Sequence, residues 1–416
     1  MKLIWKYTWV KIYVLLTIFA VVKQFYSFSV LVDFFEYKKT ALYLFQNWTS
    51  ENAPIDRFLE PMRRTILFPL IWRISNFNWP VILILQFVLS LTVPFGIFKL
   101  VNHFKIHSKL FQLSMICVIT YPLQFFYSGF IMPDIWSQVL LLWMVVYYIE
   151  GKYNWVPFFL ILLCLLKPVF IVFLIFPFVL AILKKYTISV FDFIPLCIIL
   201  CCCYFNYHSY KIFTYSSITT TNPYDYNRKL LLNFHKKDIS DVDSLYEIEH
   251  QHLQILGSNM VLQKKYMDSL TQSSINENLG SYIFLHLKGM AATFLDPGRY
   301  DAMVFLNWNK SSGIMGVNDG NSPSKIPNGQ YVYMLFLGGI QLLKLAFALF
   351  AVIQLNRYFH IKLYAFIIVL LAFLAGPVGC ARYMLPSYPL MSLLSAMGII
   401  CFIVKFPKIE NFITKR

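Results

Sequence analysis

Residues 155–183 read WVPFFLILLCLLKPVFIVFLIFPFVLAIL, an apolar stretch with a single charge, Lys167. A helix that is apolar all round is either deeply buried or immersed in hydrocarbon. Outward from this stretch, apolar runs fall at 9–31, 80–102, 111–130, 134–150, 154–166, 168–183, 188–205, 331–355, 361–377 and 386–404. Several of them reach the ~20 residues that cross a bilayer core. The 416 residues are 58% hydrophobic, 18% aromatic and 13% charged, against about a quarter charged in a soluble domain. The expected fold class is an all-α polytopic membrane protein with about ten transmembrane helices.

The net charge of +16 raises nucleic acid as a partner, but its distribution argues against that. With a cytoplasmic N-terminus, the inner segments carry Lys2, Lys6, Lys11, Lys99, Lys105, Lys109, Lys152, Lys184, Lys185, Arg357, Lys362, Lys405, Lys408, Lys415 and Arg416. Against these stand Glu150 and Glu410, with Asp192 near the inner end of the seventh run. The segment 206–330 holds eleven bases and eleven acids. This is the positive-inside bias, and it predicts that both termini are cytoplasmic. The first run lacks a small-x-small cleavage site and resumes after Lys23, so it reads as an uncleaved helix. The eight cysteines lie mostly inside apolar runs and show no zinc spacing, so neither a disulfide framework nor a structural metal is expected.

Three parts follow: an N-terminal transmembrane module over 1–205 with a first outer loop at 32–79, a large outer loop over 206–330, and C-terminal transmembrane helices over 331–416. In the first loop, apolar and aromatic residues recur at helical spacing from Leu31 to Phe45, which predicts an interfacial amphipathic helix. A second helical stretch follows Pro61, with Arg63, Arg64 and Arg73 among Ile66, Leu67 and Trp72. The large loop reads as mixed structure: a polar, tyrosine-rich start, a charged helix over Asp241–Lys265, and a Gly/Asn/Ser-rich end. Its length favours a functional role over simple connection.

Asp33 and Glu36 stand where the first helix leaves the bilayer, three residues apart and so on one helical face. A carboxylate at that boundary can be tuned as a general base, although acids are also ordinary at helix ends in water. Asp134 follows Pro133 at the start of the fourth run, where an acid complements the helix dipole and needs no further role. Lys167 and Arg382 are cations flanked by long apolar stretches. Such groups are costly unless paired, which points to a phosphate partner or to snorkelling toward headgroups. Lys344 lies mid-run and either faces the bundle interior or snorkels. No histidine cluster has ligand geometry. Acids and cations on one outer face suit a lipid-phosphate substrate better than a pump or channel, whose charges gather near the midplane.

These residues resemble the GT-C superfamily of membrane glycosyltransferases, especially the protein mannosyltransferases and the lipid A aminoarabinose transferases. Asp33-Phe34-Phe35-Glu36-Tyr37, with Ala41 and Leu44, is similar to the family's acidic motif and interfacial helix. Arg64-Thr65-Ile66-Leu67-Phe68-Pro69-Leu70 resembles the stretch leading into the second helix, and Leu166-Lys167-Pro168 the helix-break lysine. Ala381-Arg382-Tyr383-Met384-Leu385-Pro386-Ser387-Tyr388-Pro389 is similar to the Arg-Tyr-x-Leu-Pro-x-x-Pro entry to a late helix, which brings in Tyr383. The likeness covers mainly 1–185 and 331–404, and the acidic motif departs from it by being Asp-x-x-Glu.

The resemblance implies a GT-C-like layout with a catalytic first outer loop. The donor would be a sugar on a polyprenyl phosphate and the acceptor an envelope glycan, a lipid or a protein. Lys167 and Arg382, with Arg63 or Arg64, would hold the phosphate. Asp33 would accept the acceptor's proton, with inversion at the anomeric carbon, and Glu36 or Asp134 would orient the acceptor. No cofactor is required, though a divalent metal is compatible. A bacterial inner membrane is the preferred location, with the site facing outward. An endoplasmic-reticulum location has the same geometry, and there Asn47 and Asn309 would be glycosylation acceptors. The competing readings are a transporter of lipid-linked oligosaccharides, an envelope polysaccharide polymerase, and a non-catalytic assembly subunit.

Overall fold

A computed structural model describes residues 7–46, 64–104, 107–183, 185–235, 239–257, 259–306 and 328–404. Arg63, Asn47, Asn309, the Gly/Asn/Ser-rich end of the large loop and several of the inner lysines lie outside them. All regular structure among the described residues is helical. The chain runs α1 (Thr8–Tyr26), α2 (Val32–Gln46), α3 (Leu67–Ile74), α4 (Trp79–Ser90), α5 (Val93–Val101), α6 (His107–Ile119), α7 (Leu123–Gly129), α8 (Pro133–Ile149), α9 (Trp155–Leu166) and α10 (Phe176–Ile182). It continues with α11 (Ile194–Tyr210), α12 (Ile218–Asn222), α13 (Lys229–His235), α14 (Ile239–Ile255), α15 (Met260–Glu277), α16 (Leu279–Leu295) and α17 (Arg299–Leu306). It ends with α18 (Asn328–Gln354), α19 (Phe359–Leu374) and α20 (Tyr388–Val404).

Five segments are long and apolar enough to cross a membrane: Thr8–Tyr26, Trp79–Val101, Val190–Tyr210, Leu335–Gln354 and Ala381–Ile403. The pair α6–α7 would make a sixth, bent by 66°. The other apolar runs form the shorter helices Pro133–Ile149, Trp155–Leu166, Pro168–Ile182 and Phe359–Leu374. The chain is thus an all-α membrane protein, and length qualifies fewer spans than there are apolar runs.

Segment 381–403 is the central post, with 78% of its apolar window buried against α5, α6, α8, α18 and α19. Amide side chains fasten α7 to its neighbours. Gln86 Nε2 donates to the carbonyls of Tyr127 (2.7 Å) and Phe130 (2.6 Å), and Trp136 Nε1 donates to Gln86 Oε1. Gln124 and Gln138 pair with each other, and Gln138 Nε2 also reaches the Leu385 carbonyl at 2.8 Å. In apolar surroundings such buried amides are worth keeping only when paired, so they fix the relative positions of α4, α7, α8 and the entry to α20.

The sequence places α2 on the membrane surface as an interfacial helix. In the structure its Phe34, Tyr37 and Ala41 are buried, and the rings of Phe34 and Tyr37 pack on Trp72 and Phe68 of α3. The large loop is expected to be mixed; the regular structure of its described part is all helical, and its Gly/Asn/Ser-rich end lies outside the described residues. The charged stretch 241–265 is divided between α14 and α15, because Gly257 adopts a left-handed φ of +56° that ends the first helix. The segment has its own small core of Ile212, Tyr224, Val242, Tyr246, Leu253 and Met267. Beside it a buried Arg228 donates to both Glu249 oxygens at 2.7 and 2.6 Å.

Candidate functional site

The site forms where α2, the approach to α3, the start of α8, the break after α9 and the turn before α20 meet. Asp33 lies in the first turn of α2, with Glu36 one turn on. Arg64, just ahead of α3, reaches both: its Nη2 donates to Asp33 Oδ1 at 2.7 Å and also to Glu36 Oε2. Its guanidinium lies over the Tyr37 ring, 4.7 Å from the centroid. The second oxygen of Asp33 accepts from Arg382 Nη1 at 2.8 Å. Asp33 is therefore clamped between two guanidiniums that are 318 residues apart in sequence.

Arg382 is carried on the helical turn Ala381–Ser387, which is tied down at both ends. Tyr121 donates to the Ala381 carbonyl at 3.1 Å, the Ala381 N–H donates to Asp296 Oδ2 at 3.3 Å, and Leu385 accepts from Gln138. Tyr383 is half-buried, its ring 5.6 Å from the Arg382 guanidinium.

A second pair stands beside the first. Asp134 is fully buried at the start of α8, and its Oδ1 accepts from Lys167 Nζ at 2.5 Å. Lys167 precedes Pro168, which drives it to an extended conformation (φ −145°, ψ 133°) and breaks the helix there. The pairs are close enough for Asp33 and Asp134 both to act on Lys167 and on Arg382. Among the described residues, Asp33, Glu36 and Asp134 thus stand against Arg64, Lys167 and Arg382.

Burial pushes the Asp33 carboxyl up, but the charges of Arg64 and Arg382 outweigh it and hold the group well below the usual carboxylate range. In this arrangement Asp33 is an ionised anchor and a weak base. Among the described residues, three buried polar atoms of the cluster have no hydrogen-bond partner: Arg64 Nε, Arg382 Nε and Asp134 Oδ2. Buried polar groups are nearly always satisfied, so open valences on three neighbouring charged residues mark a place for a ligand. Two free N–H donors on guanidiniums suit the oxygens of a phosphate or carboxylate.

No protein-family model, curated protein or solved structure matches this chain. The chemistry of the cluster rests on its own residues. Asp33 and Glu36 are the paired acids that could hold a metal, but Arg64 bridges them here. Among the described residues no three His, Cys, Asp or Glu side chains converge as metal ligands.

Lys344 lies apart from this cluster, buried between α18, α6 and α20. Its Nζ donates to the Thr120 carbonyl at 3.0 Å and to Tyr388 Oη at 2.8 Å. Thr120 ends α6, so Lys344 caps the negative end of that helix from a neighbouring one.

The structure adds residues that the sequence reading passed over. Asp301, on α17, is buried at 2% exposure and accepts from Tyr127 Oη at 2.7 Å. Burial raises its carboxyl to about 7, against the Tyr127 hydrogen bond and the nearby charge of Arg382. A trace was present in FLDPGRYDAMVFL (294–306), where two acids stand in an apolar stretch within a polar loop.

Proposed function

We propose that the chain is a membrane glycosyltransferase that moves a sugar from a polyprenyl-phosphate carrier to an envelope glycan, lipid or protein acceptor on the outer face of the membrane. The observation that carries this reading is Asp33 held between Arg64 and Arg382, each with a buried N–H that no described residue accepts. A general base and two phosphate ligands are the parts that such a displacement needs, and here they touch.

The donor phosphate competes with Asp33 for the guanidiniums. Once it takes them, Asp33 is released from its ion pairs and its basicity rises. Asp33 then accepts the proton from the acceptor hydroxyl. The hydroxyl oxygen bonds to the anomeric carbon as the bond from that carbon to the phosphate oxygen breaks, with inversion. The electron pair leaves with the lipid phosphate, where Arg64, Arg382 and Lys167 stabilise the growing charge. Donor binding switches the base on, and without donor the base stays masked.

In this reading the five qualifying spans, the bent α6–α7 pair and the four shorter apolar helices make up ten crossings in a GT-C-like layout. Both termini are cytoplasmic and the site faces the outside of a bacterial inner membrane, supported by fifteen bases on the inner segments. The test is incubation of purified protein with labelled polyprenyl-phosphate sugars and candidate acceptors. Label in a larger product supports transfer. Label carried across a vesicle membrane with no new bond would replace this reading with that of a lipid-linked sugar transporter.

A further inference from the structure

Among the described residues one face of α16 is largely exposed, its Phe284 ring standing 6.0 Å from that of Phe234 on α13. Leu279, Ile283, Phe284, Leu287 and Leu295 recur along one side and are 40–58% exposed. The opposite side, Leu285, Gly289 and Thr293, is buried against the turn 376–378, α18 and α19. That packing is backbone on backbone, because a Cβ at Gly289 would strike the Gly376 carbonyl oxygen. His286 Nε2 adds a hydrogen bond to the Phe373 carbonyl at 2.8 Å, at the end of α19. The helix is thus rigidly mounted and its apolar side is held outward.

We infer that this side of α16 is immersed in the outer-leaflet acyl chains of the bilayer, as a membrane-inserted helix within a segment that otherwise reads as an aqueous loop. Continuity identifies the occupant. Phe366, Val369 and Phe373 are exposed along α19, a helix apolar enough to face lipid, and the Phe373 ring lies 4.5 Å from that of His286. The α16 stripe therefore extends an apolar belt that already exists. Its one exposed charge, Lys288, has a stem long enough to carry the ammonium up to headgroup phosphates. In water this stripe would be a standing aggregation face, whereas an interfacial helix uses such a face to bind the membrane. The C-terminal end of α16 leads directly into Asp296, which holds the turn of Arg382, so the immersion would set the depth of the site at the membrane surface.

The test is photocrosslinking of the full chain in vesicles of equal parts phosphatidylcholine and phosphatidylglycerol. p-Benzoylphenylalanine replaces Phe284 in one variant and Leu287 in another, with Phe366 of α19 and Glu247 of α14 as lipid-facing and water-facing controls. Lipid adducts at 284 and 287, comparable to 366 and well above 247, are expected. Adducts to protein alone at 284 and 287, no adduct there while 366 reacts, or equal lipid adducts at 247 would each overturn the inference.

Discussion

Replacing Asp33 by Asn should tighten the binding of a polyprenyl phosphate even as it abolishes transfer. Asn keeps the shape of the side chain and removes the charge that competes with the ligand. In the wild type, a phosphate can take Arg382 only by displacing an Asp33 oxygen at 2.8 Å, and Arg64 only by displacing the other at 2.7 Å. A hydrogen bond to a charged group is worth about 1.5–3 kcal/mol net. Both partners are mostly buried, so solvent screening removes little of that. Relief of one such contact should strengthen phosphate binding by roughly ten- to a hundredfold. Isothermal titration of farnesyl phosphate into the detergent-solubilised full chain measures this directly. An Asn variant that binds more weakly would refute the argument, because Asp33 would then assist the ligand rather than compete with it. Arg382→Ala should lose affinity in both backgrounds, and unchanged affinity there would remove the phosphate from Arg382. The sign with pH is also determined. A depressed carboxyl contributes its ion-pair stability fully above its ordinary value of 3.8 and loses it only as pH falls through the lower folded value. Because bound phosphate frees Asp33 and raises its basicity, a proton relieves the competition at lower pH, so the gain from Asn should be larger at pH 8 than at about pH 5.

Asp301 has the opposite sign. A carboxyl raised from 3.8 to about 7 destabilises the fold as pH rises above its ordinary value, with the full cost of about 4 kcal/mol reached only above 7. Asp301→Asn should raise the melting temperature at pH 8 and leave it nearly unchanged at pH 4, and a pH-independent difference would refute this. Asp134→Asn strands Lys167 as a buried cation and should cost about 3–5 kcal/mol, read as a lower melting temperature that Asp134→Asn/Lys167→Met partly restores. Lys344 makes no ion pair among the described residues. Lys344→Met should therefore be neutral or stabilising, whereas a loss comparable to that of the Asp134 variant would show that its helix cap outweighs its burial. Glu249→Gln should expose α13–α15 to limited proteolysis while the spans stay protected, since the Arg228 pair sits beside the small separate core.

Much of the helical architecture was legible in order along the chain. The positions of apolar runs, the helix start at Pro133 and the break at Lys167-Pro168 all follow from local rules of burial and proline geometry. The face shared by Asp33 and Glu36 followed from helical period. Less legible was the large loop, where Gly257 splits one expected helix into two and α16 mounts an apolar face on α19. Asp301 escaped notice because its burial depends on α17 docking on α7 through Phe305 and Phe126, a contact with no local signature.

Composition and period determined that this chain is helical, that it belongs in a membrane, and that a handful of its charges stand out against apolar sequence. Pairing was decided by tertiary structure alone. Nothing in the spacing says that Asp33 meets Arg382 across most of the chain, that Arg64 spans both acids, or that Asp134 takes Lys167. The physical reason is that a charge among apolar residues must find a partner, but which one depends on how the helices pack, and packing is a property of the whole bundle.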